Sequence, residues 1–514
     1  MTQAAPSRSA GDGAPPEPPS PPEPPAGARR RRDRLFPGDR RVWLTAAVVL
    51  AIGLVVVAVE VLTPRDFYTG TNSIRTRSFS TTLKRGDQLC VPRQSIPAGT
   101  GRIEMEVNSA QGAKSLPAQS AELRIAGRTI PLSDVPGGGP VGPRKITFAL
   151  PGKRPRSPDS VPGTVCVRSA GGVTYGGMAA LQGNDVPSTI NGRPNLNRVA
   201  IWYLPPRGEK RSLLSQLPAV LARASLFRPG VVGPWTYAVL LLVWLPLLGY
   251  GALRLLATAA EWNPRRVALL VALLAFGNAA AWAIVTPAFN APDESEHFAY
   301  VQWFAETGKT VARAPDPNRP IYSSQETLAL DATRIFSNNE AADGRPPWLK
   351  LDERRLAQRT QAGYHGHPRQ DNGGGNTAAT QAHSPVYYGL LAPAYLVTRS
   401  GSTWTQLTAV RLLSALFGAV VAMCAFLLVR ELVPRHPVPA VAAGLLVGFQ
   451  PMFAFISGAV NNDNGVNALA AIVVFLVVRG LRRGLTWRTG LALGVALVVL
   501  PLMKATGYEL YPLS

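Results

Sequence analysis

The sequence predicts a polytopic α-helical membrane protein that carries an inserted extracytoplasmic β-sandwich domain. Three observations lead there. Apolar residues are concentrated in runs of bilayer-spanning length, arginines flank those runs in a consistent alternation, and one long block between runs shows short alternating stretches instead.

A helix needs about 20 mostly apolar residues to cross the hydrocarbon core. Seven runs are candidates: Val42–Leu62, Val232–Leu256, Val267–Val285, Leu407–Val429, Val438–Val460, Val466–Val478 with its flanks, and Leu491–Met503, the last two short enough to need a few flanking residues. The first run is longer than the apolar stretch of a signal peptide and lacks a small-x-small cleavage site, so it reads as a signal anchor. Residues 1–41 before it are a Pro/Arg-rich cytoplasmic tail. The PPEPPSPPEPP stretch within it has too little apolar bulk to offset ordering entropy, so a disordered or polyproline-II segment is expected.

A formal net charge of +22 would suit a nucleic-acid binder. The placement of the charge argues against that class. Arg29–Arg32, Arg34, Arg40 and Arg41 precede the first run, and Arg265, Arg266, Arg430, Arg435, Arg479, Arg482, Arg483 and Arg488 border later ones. This is the positive-inside pattern. With the N-terminus inside the cytoplasmic membrane, every short arginine-rich loop falls inside, and residues 63–231, 288–406, 461–465 and 504–514 fall outside. No nucleic-acid partner is expected, and membrane lipids are.

Residues 64–231, between the first two runs, form the extracytoplasmic β-rich domain. Stretches such as Arg102–Val107, Glu122–Ile125 and Lys145–Leu150 alternate in polarity and are separated by Gly/Pro turns including GGGPVGP. Cys90 and Cys166 each sit in a strand-like stretch of this block, where an extracytoplasmic disulfide is expected. Cys424 lies inside a run and reads as packing.

The second long external segment, 288–406, is too long for a passive connection. A helix-like stretch from Asn290 to Thr307 is stopped by Gly308. A Gly/Asn-rich tip follows at Asp371–Asn376, and His383-Ser-Pro-Val-Tyr387-Tyr388 closes the segment with enough aromatic character to lie in the membrane interface. Four titratable groups, Asp293, Glu294, Glu296 and His297, gather where the chain leaves the third run. A structural reading has Asn290 capping a helix, with Pro292 in its first turn and the acids opposing the helix dipole. The functional reading notes that Asp293 and His297, four apart, share a helix face at a membrane mouth. The residues alone leave both open.

Further polar groups fall on the same side. Asn461, Asn462, Asp463 and Asn464 form a short turn, Arg411 lies inside the fourth run where an arginine requires a partner or an anionic ligand, and Lys504 ends the seventh. His365 and His367, with nearby acids, are candidates for a divalent cation, although their spacing matches no defined metal motif.

Taken together these residues resemble the GT-C superfamily of integral-membrane glycosyltransferases. More closely, Pro287–Gly308 resembles a bacterial membrane-protein family whose first loop carries Pro-Asp-Glu-x-x-His, matched here by Pro292-Asp293-Glu294-Ser295-Glu296-His297. The resemblance covers about 265–514. It implies a donor sugar on a polyprenyl phosphate, a glycan or lipid acceptor of the cell wall or surface, and an acidic general base in the first external loop. Asp293 is the first choice for that base and Glu294 the second. Arg411 and Lys504 would stabilise the departing lipid phosphate, and His297, Glu296, His383, Tyr387, Tyr388, Asn462 and Asp463 would support or bind substrate. The five runs from Val267 are fewer than GT-C proteins usually have, which raises a C-terminal truncation. The layout, a β-rich domain after the first span, is loosely similar to that of actinobacterial cell-wall arabinosyltransferases. The alternative is a non-enzymatic scaffold or lipid-linked-glycan carrier that displays a sugar-binding β-domain.

Overall fold

The computed structural model describes residues 40–72, 74, 76–110, 112, 114–151, 160–179, 187–311, 320–333, 335, 350–363 and 380–513. The Pro-rich tail before residue 40, the 371–376 tip, His365 and His367 lie outside these.

Helix α1, Arg40–Leu62, is apolar on every side and none of its residues is buried against the rest of the protein. A helix without a polar face needs an apolar medium around it. Its Trp43 ring meets Tyr250 of a later helix at 5.8 Å.

The chain then builds a β-rich domain of two antiparallel sheets, one of seven strands and one of six. Alternation decides which side chains enter the space between them. In Arg102–Ser109, Ile103, Met105 and Val107 are fully buried while the residues between them are not. They join Leu89, Leu123, Phe148, Val165 and Tyr203, from both sheets, in one core. Gln88–Ile96 pairs with Val161–Ser169 so that Cys90 faces Cys166, and the two form the expected disulfide across 76 residues.

Helix α2, Leu213–Ala224, is capped by Ser212, whose Oγ accepts the Ser215 N–H at 3.3 Å. It leads to α3, Pro234–Thr258, and α4, Pro264–Val285, both long and apolar enough to cross a membrane. Half of the α4 window is buried, because α4 packs against helices on several sides.

Between α4 and the next long helix lie α5, Glu294–Thr307, α6, Ser324–Thr333, α7, Lys350–Gly363, and α8, Val386–Val397. Gly308 ends α5 in the left-handed conformation, as expected. The interfacial position expected for the His383–Tyr388 stretch is not what forms. Tyr387, Tyr388, Leu391 and Tyr395 of α8 are fully buried in the protein. Burial is feasible because the hydroxyls are partnered: Tyr387 meets Ser414 Oγ at 2.9 Å, and Tyr395 donates to Glu306 Oε1 at 3.0 Å.

Helix α9, Thr403–Leu432, is the longest, with Ser402 as its cap. The expected fifth span is broken into α10, Pro437–Phe449, and α11, Pro451–Ser457, which meet at 63°. Pro451 disfavours helical backbone at Gln450, which is extended (ψ 121°). Pro451 also begins the new helix, where its missing N–H costs nothing. Helix α12, Asp463–Arg483, opens at the acidic residue of the Asn-rich turn, and α13, Trp487–Met503, is an apolar helix of 17 residues. Among the described residues the count is therefore five continuous membrane-length helices, six with the bent pair, where the sequence suggests seven.

The arginines gather at one end of this bundle, where Glu431 at the end of α9 pairs with Arg483 and, at 3.5 Å, with Arg479. The α5–α8 connection and the 461–464 turn meet at the other.

Candidate functional site

The site begins where α4 ends. Left-handed backbone at Phe289 and again at Asp293 (φ 53°) turns the chain, and α5 starts at Glu294. Asn290 is thus not the helix cap. Asp293 occupies that position, and its side chain makes no capping bond. Side-chain capping therefore does not account for Asp293, although an aspartate is one of the few non-glycine residues found in the left-handed region.

The two adjacent acids have opposite environments. Asp293 is exposed and Glu294 is completely buried. Glu294 Oε1 accepts Arg411 Nε at 2.7 Å and the Val460 N–H at 3.1 Å, and Oε2 accepts Arg411 Nη2 at 2.5 Å. Arg411 is itself 1% exposed. Its Nη1 donates to the carbonyls of Ala283 and Thr286, and its Nη2 to that of Pro287, at 2.9–3.0 Å. A guanidinium has five N–H donors, and all five are committed. Glu294, expected as the second base, and Arg411, expected on the departing phosphate, instead saturate each other and close the C-terminal end of α4.

A second guanidinium, Arg228 in the link before α3, does the same from the other side. It donates to the carbonyls of Thr286, of Val285 (2.7 Å) and of Ala224 (3.3 Å). Burial lowers its pKa to about 10, which leaves it charged at neutral pH. Only its proximity to an apolar run marks Arg228 in the sequence, and sequence reasoning missed it.

His297, one turn along α5, is buried, and its Nδ1 shares a hydrogen with the Tyr388 hydroxyl at 2.9 Å. Tyr388 stacks on Tyr300 at 3.8 Å between centroids, and His297 on His383 at 6.1 Å. Burial first, then the positive potential of His383 and Lys504, pushes His297 down to about 3, so it is neutral. Its backbone N–H bonds the Asp293 carbonyl at 3.0 Å, but the left-handed turn leaves the Asp293 side chain exposed while His297 is enclosed.

The Asn-rich turn reaches this place from α12. Asn461 Nδ2 donates to the Pro292 carbonyl at 3.5 Å, and the Asn461 N–H to Tyr387 Oη at 3.0 Å. Asn462 is buried, donates to the Met503 carbonyl at 3.4 Å, and keeps an Oδ1 with no hydrogen-bond partner. Asp463 pairs with Lys504 at 2.5 Å, and both are part-exposed. A continuous series of polar contacts thus runs from Arg411 through Glu294 and the Pro292-Asp293 turn to Asn461, Asp463 and Lys504.

Residues 274–513 match the model of a family described as a predicted membrane protein (DUF2142). The match, together with the apolar helices, fits this segment to a membrane-protein family of uncharacterised activity. It takes in Asp293, Glu294, Arg411, Asp463 and Lys504, and leaves Arg228 and the β-rich domain outside it. No curated protein and no solved structure matches the chain. Of the residues suggested for a metal, His365 and His367 lie outside the described residues, and among those described no group of three or more His, Cys, Asp or Glu side chains is arranged to hold a metal ion.

Proposed function

We propose that the protein is a glycosyltransferase that moves a sugar from a polyprenyl-phosphate donor to a glycan or lipid acceptor on the outer face of the cytoplasmic membrane, with Asp293 as general base. The observation that carries this reading is the division between neighbours. Glu294 is spent on Arg411, whereas Asp293 is exposed at the same turn, uncapped and free to meet a substrate.

A carboxylate so placed takes the proton of the acceptor hydroxyl as that oxygen attacks the anomeric carbon. The bond from that carbon to the lipid phosphate breaks, and its electron pair leaves with the phosphate. Lys504, a part-exposed cation held by Asp463, is the group suited to stabilise that charge, now that Arg411 is fully engaged. A single displacement inverts the anomeric centre.

The side of the membrane follows from charge and redox chemistry. The arginine-rich end of the bundle faces the cytoplasm by the positive-inside rule, which puts Asp293 and the β-rich domain outside. A disulfide in that domain suits an oxidising compartment. Counting the bent α10–α11 pair and α13 as spans completes the seven-span topology, with the two sheets standing outside as a sandwich.

The test is transfer from a polyprenyl-phosphate sugar in membranes that contain Asp293→Asn. The proposal expects folded protein without transfer. Wild-type transfer by the variant refutes the base assignment.

A further inference from the structure

The strongest anomaly outside that site is a buried acid in α6. The helix opens with Ser323-Ser-Gln-Glu326, the spacing of a capping box, in which the glutamate carboxylate returns to the N–H of the cap residue. Half of the box forms: Ser323 Oγ accepts the Glu326 N–H at 3.3 Å. The other half does not. Glu326 is 0% exposed, and neither of its carboxylate oxygens has a hydrogen-bond partner.

What lies beside it is another acid. Burial, and after it the charge of Glu296 on α5, raises the Glu326 pKa well above the usual carboxylate range. Glu296 Oε1 accepts the Tyr322 hydroxyl at 2.9 Å, and its Oε2 accepts Ser295 Oγ at 2.7 Å. Neither acid forms an ion pair among the described residues. Two carboxylates, one enclosed and both without a counter-charge, are costly to keep unless something positive joins them. The donor atoms available are all hard oxygens: four from the carboxylates, with the hydroxyls of Tyr322 and Ser295 beside them. Such a set selects calcium, magnesium or manganese over the softer metals.

We propose that Glu296 and Glu326 are the carboxylate half of a binding site for a hard divalent cation that ties α6 to α5, the helix whose first turn carries Asp293. A cation answers both charges at once and gives the Glu326 oxygens the partner they lack. The site stands independently of the transfer reaction, so either reading can fail alone.

The experiment uses the full chain purified in detergent and stripped with EDTA. Calcium, magnesium and manganese chloride are then titrated while thermal unfolding is followed. At least one should raise the wild-type midpoint saturably, by about 2 °C or more, and the rise should vanish in Glu326→Gln and in Glu296→Gln. In EDTA, Glu326→Gln should unfold no lower than the wild type, because the amide fills the same space and brings no charge into the enclosed position. If Glu326→Gln does not fold, Glu326→Asp serves in its place and should shift the titration to at least tenfold higher cation concentration. A rise that persists unchanged in the variants means binding elsewhere and overturns the proposal. So does a wild type that ignores all three cations; if its midpoint also falls with rising pH, a shared proton holds the pair instead.

Discussion

The β-rich domain and the α5–α8 connection use buried polar groups in different ways. The domain keeps mostly to local rules, although Arg93, Ala126 and Asn191 are left-handed and Thr76 Oγ1 and Arg144 Nε are buried without a hydrogen-bond partner. Its inward residues are apolar, its strands alternate, and its buried Gln119, Tyr175 and Ser169 bond one another. The connection breaks those rules repeatedly, with a fully buried Arg–Glu pair, a neutral enclosed histidine, a left-handed aspartate and an unpartnered glutamate. Proteins depart from local consistency mainly where function demands it.

The largest way to break that contrast is through Arg411. Arg411→Ala leaves Glu294 charged and enclosed and should cost about 3–5 kcal/mol, whereas the double variant with Glu294→Leu should recover part of the loss. Thermal unfolding in detergent compares the two. An Arg411→Ala midpoint equal to wild type would show that the pair is not a structural pin.

Removing the disulfide probes the other region. Cys90→Ala with Cys166→Ala opens a long loop and should destabilise the domain by about 2–5 kcal/mol. Limited proteolysis of the full chain should then cut within 64–231 while the α4–α13 helices stay protected. Equal loss of protection in both regions would mean that they are not separate.

A smaller effect is expected from His297. Its folded pKa of about 3 lies below its ordinary 6.5, so the unfolded chain binds this proton first as pH falls. Its contribution to stability is complete above about pH 6.5 and is lost progressively towards pH 3. His297→Gln should flatten this segment of the midpoint-against-pH curve, and a variant curve as steep as wild type would assign the slope to other groups.

These features differ in how far they were legible. Apolar run length marked the spans, alternation marked the strands, and the Cys90–Cys166 disulfide followed from two strand-borne cysteines. The break at Gln450–Pro451 was not read from the Val438–Val460 run, although a proline stands inside it. The start of α5 was misread because Asn290-Ala-Pro292 has the chemistry of a cap. The backbone there is set by contacts that no local pattern encodes, with Arg411 holding the Pro287 carbonyl from 124 residues away. The same distance hid the fate of Glu294. Which of the two adjacent acids is engaged depends on tertiary pairing, and so does the burial of Tyr387 and Tyr388.

The smallest structural change tests the largest claim. Asp293→Asn alters an exposed side chain that forms no cap, so its unfolding midpoint should correspond to less than about 0.5 kcal/mol of change. Transfer from a polyprenyl-phosphate sugar, measured in the same membranes as wild type, should fall by about 10²–10⁴-fold. A stable Asp293→Asn protein that transfers sugar at the wild-type rate would contradict the account.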